Sequence, residues 1–384
     1  MLRGKHNAKG MRLILIMVLI CAGFTSISCT MTDAGDKKPT SVIAYGDDGD
    51  ARADTAMAAP PATVTVALTG DIMLGTTYPE PALPPDDGRQ LFADVRSVLL
   101  AADIAAGNLE GAICDTTFAR STSKSERAYL FRMPPHLAPR LKEAGFDLLS
   151  LANNHSLDFG YGGARATERT LDGLGISHAG LQGRNECPIV ERRGVKFGFC
   201  AFGHNYYTLK HKDLGKAKTL LDSLRRNADI VIVSFHGGSE GTAASHLPYG
   251  KETFMNEDRG ELRAFAHFCI DNGADIVFGH GPHVLRCIEL YKDRFIAYSL
   301  GNFCTPYGIS IMGKSGYAPV VEVSTDLDGR FVSGQVHSFI QRKGAGPKRD
   351  TANHAATEIR KLTNTDIRDG RLEISREGKI SIKK

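Results

Sequence analysis

A layered α/β fold in a single large domain is predicted by three features of the sequence. From residue 63 onward, short β-rich runs alternate with helical apolar patterns, as they do where helices pack on a sheet. After residue 319 the pattern changes to apolar–polar alternation, which suits antiparallel strands closing the same domain. The chain has 384 residues, 42% hydrophobic and 23% charged, the balance of an ordinary globular protein with ample core. No internal boundary marks a second domain, so residues 62–384 read as one unit.

The expected strands are Thr63–Thr69, Ile104–Ala106, Leu148–Ala152, Val195–Phe202, Ile230–Phe235, Ile276–Phe278 and Phe295–Leu300. Between them, Leu91–Ala102, Leu137–Ala144, Ala164–Leu174, Leu220–Arg226 and Leu262–Ile270 repeat apolar residues at three and four. Gly145, Gly175 and Gly273 stand where C-terminal caps belong. Pro319–Ser324, Arg330–Gln341 and Leu372–Ile382 are the expected antiparallel strands of the tail.

The amino-terminal segment has a different character. Arg3, Lys5, Lys9 and Arg12 precede an apolar run from Leu13 to Phe24, the pattern of a secretory signal peptide over residues 1–28. Ser26-Ile27-Ser28-Cys29 resembles a bacterial lipobox, with Cys29 as the lipidated residue and Ser26 departing from the usual Leu. Residues 29–61 are polar and rich in Asp, Ala and Thr, a flexible tether. The expectation is an exported, cell-envelope protein held to a bacterial membrane by a lipid. The formal charge of +4 comes entirely from the four basic residues of the leader, so the remainder is neutral. Composition therefore gives no support to nucleic-acid binding. Beyond the leader stand Cys114, Cys187, Cys200, Cys269, Cys287 and Cys304, with no C-x-x-C pair. Outside the cytoplasm these can form disulfides, but spacing does not choose the pairing. Cys200 and Cys269 sit in apolar patterns and read as buried thiols.

Chemistry-bearing residues collect at strand ends, where open α/β sheets place their sites. Asp71 ends TVALTGD, and Asn108 and Glu110 follow DIAAG. Asn153, Asn154, His155 and Asp158 follow LLSLA. His236 and Glu240 follow VIVSF, His280 and His283 follow ADIVFG, and Ser299 and Asn302 end IAYSLGN. Singly, each has an ordinary explanation: a helix cap, an Asn turn or a loop histidine. Together, carboxylate, amide and imidazole at successive strand ends suit a divalent metal such as Mn, Zn, Fe or Ni, one ion or two.

TGDIMLG (69–75), AGNLEGAI (106–113), GFDLLSLANNHSLDFG (145–160), SFHGGSE (234–240), GHGPHVL (279–285) and SLGNF (299–303) together resemble the bacterial CapA family of capsule and poly-γ-glutamate synthesis proteins. That resemblance implies a calcineurin-like metallophosphoesterase fold, a β-sandwich flanked by helices. It further implies metal ligands at Asp71, Glu110 (or Asn108), Asn154, His236, His280 and His283. His155 would be the catalytic histidine, oriented by Asp158 or Asn153. Two departures stand out. Met73 replaces the histidine of the parent D-x-H motif, and the GHGPH spacing is one residue longer than GHxH, which leaves His283 the loosest match. The expected partner is an anionic surface polymer or its precursors, together with membrane capsule-synthesis proteins. Three functions stay open at this point: a metal-dependent hydrolase or transferase on that polymer, a non-catalytic export or anchoring factor, and a general metallophosphoesterase. Lys124, Arg127, Arg132 and Arg165 lie near the motifs as candidate anion contacts, though solvated surface charge explains each as well.

Overall fold

A computed structural model describes residues 62–122, 129–368 and 370–383. The signal peptide, Cys29, the tether, Lys124 and Arg127 lie outside the described residues. All the described residues fall within one compact unit, Met57–Lys384.

Two sheets carry the architecture. In the larger, Thr63–Ile72, Ile104–Leu109, Leu148–Ser150 and Ser177–Ala179 run parallel. Val320–Asp326 joins Thr63–Ile72 antiparallel and continues into Phe331–His337, Lys379–Ile382 and Leu372–Ile374. Asn302–Cys304 pairs with the far end of Thr63–Ile72. In the smaller sheet Val195–Phe202, Ile230–His236, Ile276–His280 and Arg294–Ala297 run parallel, with Ile189–Arg192 and Ile288–Tyr291 as antiparallel edges.

The layers follow from side-chain alternation. Val64, Val66 and Leu68 of the first sheet meet Phe197, Phe199, Ile232 and Phe278 of the second in one buried cluster. The opposite face of the first sheet packs under Arg96–Ala101, Pro139–Ala144 and Gly160–Gly173. The opposite face of the second packs under Leu214–Asn227 and Leu262–Asp271. Strands buried on both sides explain the near-continuous apolar runs in the sequence. The expected helix-flanked β-sandwich is the observed architecture.

The larger departures from the expected boundaries are four. Leu372–Ile382 divides into Leu372–Ile374 and Lys379–Ile382, which pair antiparallel with each other. Of Leu91–Ala102, only Arg96–Ala101 is α-helical, preceded by hydrogen-bonded turns. Arg330–Gln341 divides into Phe331–His337 and Phe339–Arg342, and the second piece pairs with Gly346–Arg349 instead of continuing the sheet. The tail also holds a helix, His354–Asp366, that the strand pattern did not anticipate. Its Ala355, Ala356, Ile359 and Leu362 repeat at helical spacing and are buried. Thr357, Thr363 and Thr365 dilute that signal, since β-branched residues are poor helix formers.

Candidate metal centre

The two sheets meet at their carboxyl ends, where the segment 298–302 threads between them. Asp71 N donates to Gly301 O at 2.9 Å, and Leu300 N donates to Gly279 O at 3.2 Å. Only glycine permits this approach: a Cβ on Gly70 would stand 2.0 Å from Gly301 O, and one on Gly279 would stand 2.4 Å from Tyr298 O. The GD and GH dipeptides therefore bring one carboxylate and one imidazole to the seam from opposite sheets.

Asp71 is fully buried and flanked in register by Asn108 on one side and Asn302 on the other. Its Oδ1 accepts from Asn108 Nδ2 at 2.8 Å and lies 3.4 Å from His280 Nδ1. Its Oδ2 lies 2.9 Å from His283 Nδ1. Burial by itself would raise the Asp71 carboxyl, but the facing imidazoles of His280 and His283 hold it well below the ordinary carboxylate range. The same pairing works on His283 against burial and raises its pKa to about 9. His283 takes a left-handed backbone, φ 56°, which turns its ring back onto Asp71 and to 3.0 Å from Asn302 Oδ1. The additional residue in GHGPH thus still delivers a histidine to Asp71.

Glu110 is the second buried carboxylate. Its Oε2 accepts from the same Asn108 amide that serves Asp71. Its Oε1 has no hydrogen-bond donor and stands 3.6 Å from His236 Nε2 and 3.9 Å from His155 Nε2. Burial pushes Glu110 up and Asp71 adds to it; the facing imidazoles of His236 and His155 together outweigh them, so the carboxyl sits below its usual value. His236 and His280 are register partners on adjacent parallel strands, so their rings stand side by side, 0% exposed. Neither ring nitrogen of either residue makes a hydrogen bond.

Those orphaned atoms test the fit of a metal. An unsatisfied buried polar group costs about 1–3 kcal/mol. Here Glu110 Oε1 and both ring nitrogens of His236 and of His280 are left in that state within one seam. Carboxylate oxygen and neutral imidazole are the donors that Mn, Zn, Fe or Ni would satisfy. Among the described residues, no three His, Cys, Asp or Glu side chains converge into a coordination shell as they stand. Hydrogen bonds from Asn108 and His283 engage Asp71 instead, so its donors point at protein groups. By donor chemistry the residues fit a divalent cation, and the orphaned atoms weigh more than the lack of a closed shell.

His155 lies beside this group. Its Nδ1 is 2.8 Å from Asp158 Oδ2, and Phe131 packs on the ring at a centroid distance of 4.4 Å. Asp158 Oδ2 also accepts from Phe131 N at 2.8 Å, so the carboxylate is fixed before it meets the imidazole. With Nδ1 committed as donor, Nε2 is the nitrogen turned toward Glu110. Of the two candidate orienting partners, Asp158 contacts the ring. Asn153 shapes the turn: its Oδ1 accepts from the His155 backbone N at 3.0 Å, and its Nδ2 donates to Leu109 O and Asn108 Oδ1. Asn154 occupies the same turn, half-buried. Met73 is buried and takes part in packing, with its backbone N on Cys304 O. Arg132 is tied to the Thr77 loop and stacks on Tyr78 and Phe159, so it is a structural cation. Arg165 is exposed.

Two further residues belong here: Asn302, which the motif reading singled out without a role, and His204, which it left out. Asn302 bridges His283 and the backbone of Ser310 and Ser315 through its amide. His204, at the end of Val195–Phe202, stacks near His236 with ring centroids 5.8 Å apart, and burial pushes its pKa down to about 2. Its signal was present as GHN at a strand end, the same pattern that marked the others.

Residues 65–307 match the family model described as "Bacterial capsule synthesis protein PGA_cap". The "PGA biosynthesis protein CapA" of Bacillus subtilis (strain 168) is 26% identical over 290 residues, covering 72% of this chain and 68% of that protein. The "Capsule biosynthesis protein CapA" of Bacillus anthracis is 28% identical over 344 residues, covering 83% and 77%. Among solved structures, a 5′-nucleotidase precursor from Thermus thermophilus superposes with a TM-score of 0.42 at 12% identity, covering 74% of this chain and 56% of that one. That likeness is distant, and the fold rests on the strand order and the two sheets themselves.

Proposed function

The chain belongs to the bacterial capsule synthesis protein family, and from that premise we propose that it is a metal-dependent hydrolase or transferase acting on an anionic capsular polymer of the poly-glutamate type. We further propose that it works at the cell envelope, exported by its leader and held to the membrane through lipidated Cys29. The observation that carries the catalytic reading is the pairing of orphaned donors on Glu110, His236 and His280 with an oriented His155–Asp158 dyad next to them.

Asp71, Glu110, Asn154, His236, His280 and His283 would hold the cation. Bound there, a divalent metal supplies Lewis acidity, polarising an electrophilic carbonyl or phosphoryl and making water nucleophilic at neutral pH. The protein's own part is proton management. Asp158 holds His155 in the Nδ1–H tautomer and stabilises the ring when it is protonated. Nε2 then carries the proton that a departing amine or alkoxide needs. Dry walls around the seam strengthen each of these interactions.

A non-catalytic export or anchoring role has two observations in its favour. The Asn108 amide hydrogen-bonds both buried carboxylates, Asp71 and Glu110, and Met73 stands where the family resemblance places a ligand histidine.

The deciding experiment is metal content by mass spectrometry, on the chain and on His236→Ala and His280→Ala, after incubation with Mn or Zn. About one or two equivalents, lost in the variants, is the expected result. No metal in the unaltered chain would overturn the catalytic reading and leave the export role.

A further inference from the structure

The hairpin at the edge of the smaller sheet places two cysteines opposite each other. Ile189–Arg192 and Val195–Phe202 pair antiparallel with Ile189 opposite Gly198. Phe199 N donates to Pro188 O at 2.9 Å, which carries the pairing one residue further. The next step sets Cys187 against Cys200. Because Pro188 and Phe199 form the hydrogen-bonded type of pair, Cys187 and Cys200 fall on the neighbouring non-hydrogen-bonded site. Opposed Cα atoms there stand about 4.5 Å apart, within the ~4.4–6.8 Å that a disulfide spans. Both side chains point to the same face. Cys200 is buried in the cluster beneath Leu214–Asn227 and Leu262–Asp271, and Cys187 packs against that cluster, whereas Phe199 and Ala201 face the other sheet.

We propose that Cys187 and Cys200, free thiols in this structure, are a disulfide-forming pair that closes the edge hairpin in an oxidising compartment. The inference is independent of the metal centre. Cys187 is half-buried and so open to an oxidant, while Cys200 and Cys269 are fully buried. The thiol of Cys200 hydrogen-bonds Cys187 and lowers the pKa of Cys187, which makes it the attacking thiolate; burial raises Cys200 well above its ordinary value.

The chemistry is exchange with an external disulfide, small-molecule or protein. Cys187 thiolate attacks one sulfur of that disulfide, forming a mixed disulfide and releasing a first thiolate. Cys200 loses its proton to a released thiolate and attacks Cys187 Sγ, expelling the second. Two protein thiols are oxidised to one bridge, one external disulfide is reduced to two thiols, and the two protons end on those thiols.

The test is peptide mapping of the full chain after equilibration with excess oxidised glutathione, alkylation and tryptic digestion without reduction. Residues 185–192 are expected joined to residues 197–210, and dithiothreitol should release both. In Cys187→Ser the joined species should vanish. Recovery of both peptides separately alkylated would overturn the proposal, as would Cys200 joined to Cys269. The mapping of the unaltered chain decides the matter even where the variant fails to fold.

Discussion

Replacing Arg286 with methionine is the most informative test of how the metal-centre loop is held. Arg286 is 1% exposed and lies under the loop that follows His236. Its Nη1 and Nη2 donate to Glu252 Oε1 and Oε2 at 2.8 and 2.6 Å, and its Nε donates to Ala244 O at 2.9 Å. Glu252 in turn accepts from Ser239 N at 2.9 Å, three residues beyond His236. Methionine fills much of the volume but leaves Glu252 charged, buried and held by one backbone N–H. Breaking a buried pair by removing one partner costs about 3–5 kcal/mol, whereas replacing both partners with apolar residues is often neutral or stabilising. At roughly 2–4 °C per kcal/mol, a value drawn from somewhat smaller proteins, the single change should lower Tm by roughly 6–20 °C. Arg286→Met with Glu252→Leu should recover most of that loss. Thermal unfolding of the three chains by circular dichroism reads both quantities. A single variant within about 1 kcal/mol of the parent, or a double variant no better than the single, would refute the argument that the buried pair holds this loop.

Two further outcomes are expected. His155→Ala should abolish turnover while sparing metal content, and Asp158→Asn should lower kcat by about 10²–10⁴ with KM little changed; an export factor would keep its capsule phenotype in both variants. In chelator-treated protein, His283 has its pKa raised to about 9 from an ordinary 6.5. A raised folded-state value means that its stabilisation is complete below pH 6.5 and is lost as pH rises through 9. Scanning fluorimetry from pH 6 to 10 should show Tm falling across that window, and His283→Gln should flatten the fall; an equal slope in the variant would exclude His283 as its source.

The strand ends were legible because their signal is local. A β-rich run and a polar residue occur within a few positions in TGD, GNLE, NNH, FHGG and GHGPH, with a glycine beside all of these but NNH. The division of labour between Asn153 and Asp158 was not legible, since both lie within a turn of His155 and only the loop path shows which reaches its ring. Helix His354–Asp366 was missed because its threonines blur a correct apolar period.

By itself, the sequence determined the layered α/β class, the alternation that makes the strands, the family, and the set of polar groups available to a site. Those properties depend on residue type and short-range period, which the chain carries wherever it goes. Tertiary structure alone decided the partnerships. Asp71 meets His283 across 212 positions and sits between Asn108 and Asn302 because three strands share one register. Cys187 faces Cys200 for the same reason. Register and the crossing of two sheets are set by the whole buried core at once, so no local pattern announces which distant side chains will touch.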